Sequence, residues 1–253
     1  MSGRFVGRVL GALLCAALAA ACGGGSTSRP TAARTTAPAP SSTSTPPTTV
    51  KQPKPFDPSK PIDLGGTPGV TAVEQHRAEN LLRATIVALH GFATPEQAQA
   101  AGYRSIGDSI TGDEHYVKWS YVDDGHTLDP QRPESLVYEY KNGKQTVVAA
   151  MYMLPLGSRF TDVPDVGGAL TQWHVHDNLC LTDDPEQKIV SGVTTAEGGC
   201  PTGTSKAGNT PMLHAWVAPN PCGPFAALEG IGAGQVPAGQ TRLCDTGHGA
   251  LAK

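Results

Sequence analysis

Four of the eight histidines lie in segments whose composition predicts β-strands. His174 and His176 flank a single valine, and because alternate side chains of a strand point to the same face, both imidazoles face one way. His115 begins a second such segment, and His214 lies within a third. Imidazole is a common protein ligand for transition metals. The pattern therefore predicts one metal site formed by His115, His174, His176 and His214, with Zn, Cu or Fe as the ion.

Glu139 is a fifth candidate ligand. It is the only acid within the strands of a predicted hairpin, where apolar and aromatic residues surround it. A buried carboxylate is costly unless it is paired or bound to a metal. Glu139 is therefore either a ligand or an outward-facing strand residue. If the ion keeps an open coordination position, Glu139 is also a candidate base for a metal-dependent reaction.

Three functional interpretations follow from these residues. The first is the binding or handling of a transition metal, and the second is metal-dependent catalysis, whose catalytic residues the sequence does not identify. The third is an interaction or scaffold domain without metal, because buried histidines also satisfy hydrogen bonds in protein cores. No Gly-x-Ser-x-Gly elbow, phosphate-binding loop, His-Glu-x-x-His or dinucleotide-binding motif follows the N-terminal leader.

Two predicted helices precede the strands. The first begins at a capping box formed by Thr71 and Glu74 and ends at Gly91, which we expect to adopt a left-handed cap conformation. The second begins at Thr94, whose following proline suits a first helical turn, and ends at Gly102.

The remaining segments are rich in β-branched and aromatic residues. Asn142 and Gly143 separate two of them, and this dipeptide is a strong signal for a two-residue hairpin turn. Helices followed by strands predict an α+β fold with a mainly antiparallel sheet. The predicted strands cover residues 115–122, 136–140, 144–154, 171–181 and 212–217.

The N-terminus has the layout of a lipoprotein signal peptide. Arg4 and Arg8 precede an apolar stretch over residues 9–21, which is shorter than the roughly 20 residues that span a bilayer. Small residues lead directly into Cys22, where a lipoprotein carries its lipid. Residues 1–21 are therefore predicted to be cleaved and Cys22 to anchor the chain on the extracytoplasmic side of the cell membrane. A plain secretory signal, without lipid, is the alternative.

Residues 22–66 are rich in Ser, Thr, Pro and Ala and contain few large apolar residues. Such a segment cannot bury enough apolar surface to offset its chain entropy, so we predict a disordered stalk. Residues 67–253 are long enough for a single globular domain. The net charge is −3 and the domain has no basic run, which argues against nucleic acid as a partner and leaves a protein or small-molecule partner open.

Four cysteines follow Cys22, and in an exported protein an even number predicts disulfides. Three pairings are open. The sequential pairing, Cys180 with Cys200 and Cys222 with Cys244, is the one we favour, because each bond would close a loop rich in glycine. No Cys-x-x-Cys spacing is present, which argues against a thiolate metal site.

Two resemblances to known families add to these expectations. Gly168 followed by His174 and His176 resembles the first half of the cupin metal motif, although Cys180 and Leu181 occupy the positions where that motif has its glutamate. More broadly, the chain resembles exported actinobacterial lipoproteins of mycobacterial type, which implies export and one folded domain but no particular reaction. The segments that carry this resemblance are Glu114–Val117, Arg132–Glu139, His214–Val217 and Asn220–Ala226, together with the Ala/Pro-rich leader.

Overall fold

The computed structural model describes residues 54–109, 112–184, 187–227 and 236–237, and within them the chain has the predicted α+β fold. Helices come first and antiparallel strands follow. The helices are α1 (Ala72–Leu89), α2 (Pro95–Ala100) and the short α3 (Trp119–Val122). The strands are β1 (Arg104–Ser105), β2 (Asp113–Val117), β3 (Ser135–Lys141), β4 (Lys144–Met153), β5 (Leu179–Thr182), β6 (Val190–Val193), β7 (Thr204–Lys206) and β8 (Met212–Trp216).

The capping boxes predicted for the N-termini of the first two helices are both confirmed. The Thr71 hydroxyl accepts a hydrogen bond from the Glu74 backbone N–H at 3.2 Å, and the Glu74 carboxylate accepts one from the Thr71 N–H at 2.6 Å. Thr94 begins α2 with an equivalent capping box. The prediction for Gly91 was wrong, because the chain continues from α1 into a 3₁₀ turn, His90–Phe92, that contains this glycine.

Five strands form the main antiparallel sheet, in the order β1-β2-β3-β4-β8. β3 and β4 are joined by the predicted hairpin turn, in which Asn142 and Gly143 both have positive φ angles, 53° and 76°. One face of the sheet packs against α1 through residues such as Tyr152 and Leu213. The opposite face has its own core, which includes Val137, Ala149, Met151, Met212 and Trp216.

Two predicted strands were wrong in extent. The strand expected over residues 115–122 ends at Val117, since the Lys118 N–H bonds to the Glu134 carbonyl at 2.9 Å and the chain then turns into α3. The strand expected over residues 171–181 is divided: His174 makes only an isolated bridge with Met212 of β8, whereas the end of the segment belongs to β5 of a second sheet. Local β propensity does not specify over how many residues a strand pairs with its neighbour. In both segments the strand ends where its pairing partner ends.

A second, three-stranded antiparallel sheet follows, in the order β6-β5-β7. A disulfide between Cys180 in β5 and Cys200 joins it to the loop before β7, as the sequential pairing predicts. Cys222 is also disulfide-bonded. Its predicted partner, Cys244, lies outside the described residues.

The ordered domain begins before Thr67, where the sequence suggested its boundary. Phe56 is buried and pairs with Asn220 through two backbone hydrogen bonds of 2.8 and 2.9 Å. Leu64 is also buried, and its N–H bonds to Glu79 on α1. Phe56 and Leu64, within the segment that the sequence assigned to the stalk, therefore pack on the domain. The predicted signal peptide, Cys22 and the rest of the stalk lie outside the described residues.

Among the described residues, none of the helices combines the length and the apolar character that crossing a membrane requires.

Candidate functional site

The four predicted histidines lie on one face of the main sheet. His214 is in β8, and His174 is paired with Met212, two residues before His214 on the same face. His176 is two residues after His174, and the two rings lie next to each other. Trp173 points the other way, into the core beneath α1. All four histidines are buried, with exposed fractions of 8% or less.

The closest contact within this histidine cluster joins His115 and His214. Their Nε2 atoms are 3.2 Å apart, although the residues are separated by 99 positions in sequence. The two rings are tilted by 52°. Two nitrogens that bind one tetrahedral ion at about 2.0–2.1 Å are themselves roughly 3.3 Å apart. The spacing therefore fits two ligands of one ion, and it equally fits an N–H···N hydrogen bond between neutral imidazoles.

Asp108 holds His115 from the other side. One carboxylate oxygen lies 2.6 Å from His115 Nδ1, and the second accepts the His115 backbone N–H at 2.8 Å. A neutral His115 that donates from Nδ1 presents the lone pair of Nε2 toward His214. A carboxylate on the remote nitrogen is the usual arrangement around a metal-binding histidine, because it fixes the tautomer and the ring orientation.

His174 and His176 lie beside this pair, but their rings are not oriented to complete a metal site with it. The His174 ring stacks on that of His214, with centroids 5.1 Å apart and an angle of 13° between the planes. Ring lone pairs lie in the ring plane, so two parallel stacked imidazoles cannot both point at one ion between them. His176 is nearly perpendicular to His174, with centroids 5.6 Å apart.

The four histidines consequently do not form one ligand set. Among the residues that the structure describes, no group of three or more His, Cys, Asp or Glu side chains is arranged to hold a metal ion. The sequence placed the imidazoles on one face but could not specify the angles between their rings. What the fold forms is a pair, His115 with His214, oriented by Asp108.

Glu139 lies on the same face but farther along the sheet. In the regular pairing of β2 with β3, His115 is opposite Val137, and Glu139 is opposite Asp113. Glu139 is thus two residues, or about 7 Å of strand, beyond the position that faces His115. It is half-buried, near the hairpin turn.

Asp108 was not found by sequence reasoning. It follows a glycine in a short connection between β1 and β2, so no strand periodicity indicates its direction. The only available signal was its position seven residues before His115, and that spacing has no meaning until the connection folds back. Asp113, buried on the same face as His115, was missed because the predicted strand began at His115, whereas β2 begins at Asp113.

A cavity of about 90 Å³ lies beside His115. Its wall is mainly apolar, and its polar members are Asp108, His115, His176 and Thr210. The main sheet forms one side of the cavity, while Leu179 and other residues of the second sheet and its flanking segments cover it. Two histidines of the cluster, His115 and His176, therefore border a small and mostly apolar cavity.

The glycine of the cupin-like pattern has a local structural explanation. Gly168 has a φ angle of 50°, and a Cβ atom there would lie 2.6 Å from the Glu74 carboxylate at the start of α1. Only glycine fits this close approach without displacement. The spacing between Gly168 and the histidines thus reflects packing against α1.

Comparison of the chain with family models, with curated proteins and with solved structures finds no match.

Proposed function

We propose that this chain is an exported, lipid-anchored envelope protein that binds a transition-metal ion through His115 and His214. The observation that carries the proposal is the 3.2 Å separation of the two Nε2 atoms, combined with Asp108 on the opposite nitrogen of His115. Two ring nitrogens at the spacing of an ion's coordination edge, one of them oriented by a carboxylate, make a partly preformed site.

The proposal also includes the cellular location of the protein. The signal-like leader, with its small residues before Cys22, supports export and lipid attachment on the extracytoplasmic side. The disulfide between Cys180 and Cys200 supports an oxidising compartment, since disulfides persist there and are rare in the cytosol. Binding, buffering or sensing of an envelope metal is the role that these features favour.

Metal-dependent catalysis is the second candidate function, and the cavity beside His115 favours it. A bound ion with an open coordination position would face this mostly apolar cavity. Among the described residues that line this cavity, Asp108 is the carboxylate and Glu139 is not included. Glu139 is therefore a weaker candidate base than the sequence suggested.

The test is the metal content of the exported chain, purified in detergent without chelators and measured by inductively coupled plasma mass spectrometry. We expect about one equivalent of one ion per chain, lost in His115→Ala and His214→Ala. His76→Ala and His90→Ala, which alter exposed histidines on or just after α1, are matched controls that should retain the metal.

Two further measurements keep this test decisive. Circular dichroism establishes that each variant is folded, and Asp108→Asn removes the orienting charge with almost no change in volume. We expect Asp108→Asn to weaken binding by about 10–100-fold, the usual effect of losing such a partner. A parent chain with no bound ion, and with no thermal shift on addition of Zn, Cu or Fe, would contradict the proposal and favour a metal-free interaction domain.

A further inference from the structure

Methionines gather on the histidine-bearing face of the main sheet. The chain has four methionines, and all three that follow Met1 lie on this face. Met151 in β4 is directly opposite His214 in β8. Met212 is directly opposite His174, and Met153 is opposite Met212. Each is buried, with an exposed fraction between 4% and 7%, and each lines the cavity beside His115.

Residues directly opposite each other in an antiparallel pair have Cβ atoms about 4.5–5.5 Å apart. The flexible side chain of Met151 can therefore reach the atoms around the His214 ring. Met151 also belongs to β4, which lies between the strands that carry the two histidines in the sheet order β2-β3-β4-β8. Met151 is therefore a candidate third donor beside His214, on a strand that lies between those of the two histidines.

The remaining candidate donor atoms near the histidine pair are soft sulfur atoms. The described residues offer no third His, Cys, Asp or Glu ligand in place. Cysteine sulfur is unavailable in this part of the chain, because Cys180, Cys200 and Cys222 are all disulfide-bonded. The remaining donors around the pair are thioethers, which together with imidazole select Cu(I) over harder ions.

We propose that the ion is Cu(I), bound by Nε2 of His115 and His214 and by the thioether of Met151, with Met212 supplying a second thioether. This inference rests on the proposed metal-binding function and names the ion that the site selects. The apolar cavity wall suits it, because a monovalent ion held by neutral ligands buries less charge than a divalent one.

Leucine substitutions separate coordination from packing. Met→Leu keeps nearly the same volume and usually costs little stability, while it removes the sulfur donor. We would measure Cu(I) affinity by competition with a chromophoric Cu(I) chelator under ascorbate, and Zn²⁺ affinity by competition with a chromophoric zinc chelator. The expected result is that Met151→Leu lowers Cu(I) affinity by about tenfold or more and Met212→Leu by less, while Zn²⁺ affinity is unchanged. Met153→Leu is the matched control and should bind Cu(I) as the parent does.

The outcomes distinguish this inference from the proposed function. If an ion binds through His115 and His214 but neither Met151→Leu nor Met212→Leu alters Cu(I) affinity, the thioether assignment is wrong and the metal-binding function stands. If no ion binds the parent chain, both are wrong. As an independent readout, addition of Ag(I) should shift the NMR signal of the Met151 methyl group and leave that of Met153 in place. Equal shifts for the two methyl groups would overturn the assignment.

Discussion

Glu134 is a carboxylic acid that the fold holds almost entirely away from water, with 1% of its surface exposed. One carboxylate oxygen accepts the Met153 N–H at 3.0 Å. Burial raises the pKa of Glu134 to about 8, and the nearby charges of Asp124 and Asp129 act in the same direction. At neutral pH this side chain is therefore mostly protonated in the folded protein and ionised in the unfolded chain.

This difference makes the free energy of unfolding depend on pH. Because the folded-state pKa lies above the unfolded value, the contribution is fully present below the unfolded pKa and is lost as pH rises through about 8. From pH 7 to pH 9 the metal-free parent should lose roughly 1.4 kcal/mol more stability than Glu134→Gln, which cannot ionise. Urea unfolding at several pH values measures this loss.

Glu197→Gln is the control for that measurement, since Glu197 is exposed and its pKa lies below the usual range, chiefly through a hydrogen bond from the Thr195 side chain. Its pH dependence should match that of the parent. A Glu134→Gln profile parallel to the parent between pH 7 and pH 9 would show that Glu134 does not titrate there.

At the residue scale, the sequence predicted what depends on near neighbours. The capping boxes of Thr71 and Thr94 each need residues within one helical turn, and both formed as predicted. The common face of His174 and His176 follows from alternation alone. The contact of His115 with His214 and the support from Asp108 depend instead on four strands and a folded connection, and no local pattern specifies such angles and distances.

At the element scale, the second sheet depends on a covalent bond. The Cys180–Cys200 disulfide closes a loop with a sequence separation of 20. Closing a loop of this size stabilises a fold by about 3 kcal/mol, mainly by restricting the unfolded chain. Small three-stranded sheets have little core of their own, so β5, β6 and β7 rely on this bond and on packing over the cavity.

We expect the double variant Cys180→Ser/Cys200→Ser to lose about 3 kcal/mol and to lose amide hydrogen-exchange protection mainly in β5–β7. The five-stranded sheet, on which α1 packs, should lose no more protection than the fall in the free energy of global unfolding accounts for. Mutation is preferable to a reducing agent here, since reduction would also open the disulfide of Cys222. Uniform loss of protection across both sheets would contradict the idea that the bond acts locally.

The sequence identified elements better than their partners. The β3–β4 hairpin was predicted because Asn142 and Gly143 specify a turn that joins adjacent strands. The division of residues 171–181 between two sheets was not predicted, because local β propensity does not determine which strand a segment pairs with. The register of β8 against β4, which places Met151 opposite His214, is likewise a tertiary property.

At the scale of the whole molecule, membrane attachment is a prediction about Cys22, outside the described residues. Cys22→Ser should move the chain from the detergent phase to the aqueous phase in Triton X-114 partitioning, because a lipoprotein without its lipidated cysteine loses its acyl chains. Cys15→Ser, which alters the other cysteine of the leader, is the matched control and should leave partitioning unchanged. Intact mass of the parent should correspond to a chain that begins at a lipidated Cys22.

If Cys22→Ser stays in the detergent phase, or if the parent's mature chain begins elsewhere, the plain secretory signal or another anchor is the better interpretation. The packing of the described domain, which includes the bridge of Phe56 with Asn220, does not depend on this outcome.

Under the proposed function, the 99-residue separation between His115 and His214 determines when an ion can bind. A chain that is threaded through a membrane while unfolded cannot carry an ion between two histidines that meet only in the finished fold. Under the proposed function, any ion at the site was therefore acquired after export. Which ion binds, and how fully the site is occupied, would then depend on the metal concentrations outside the cytoplasm and not on those inside the cell where the chain was made.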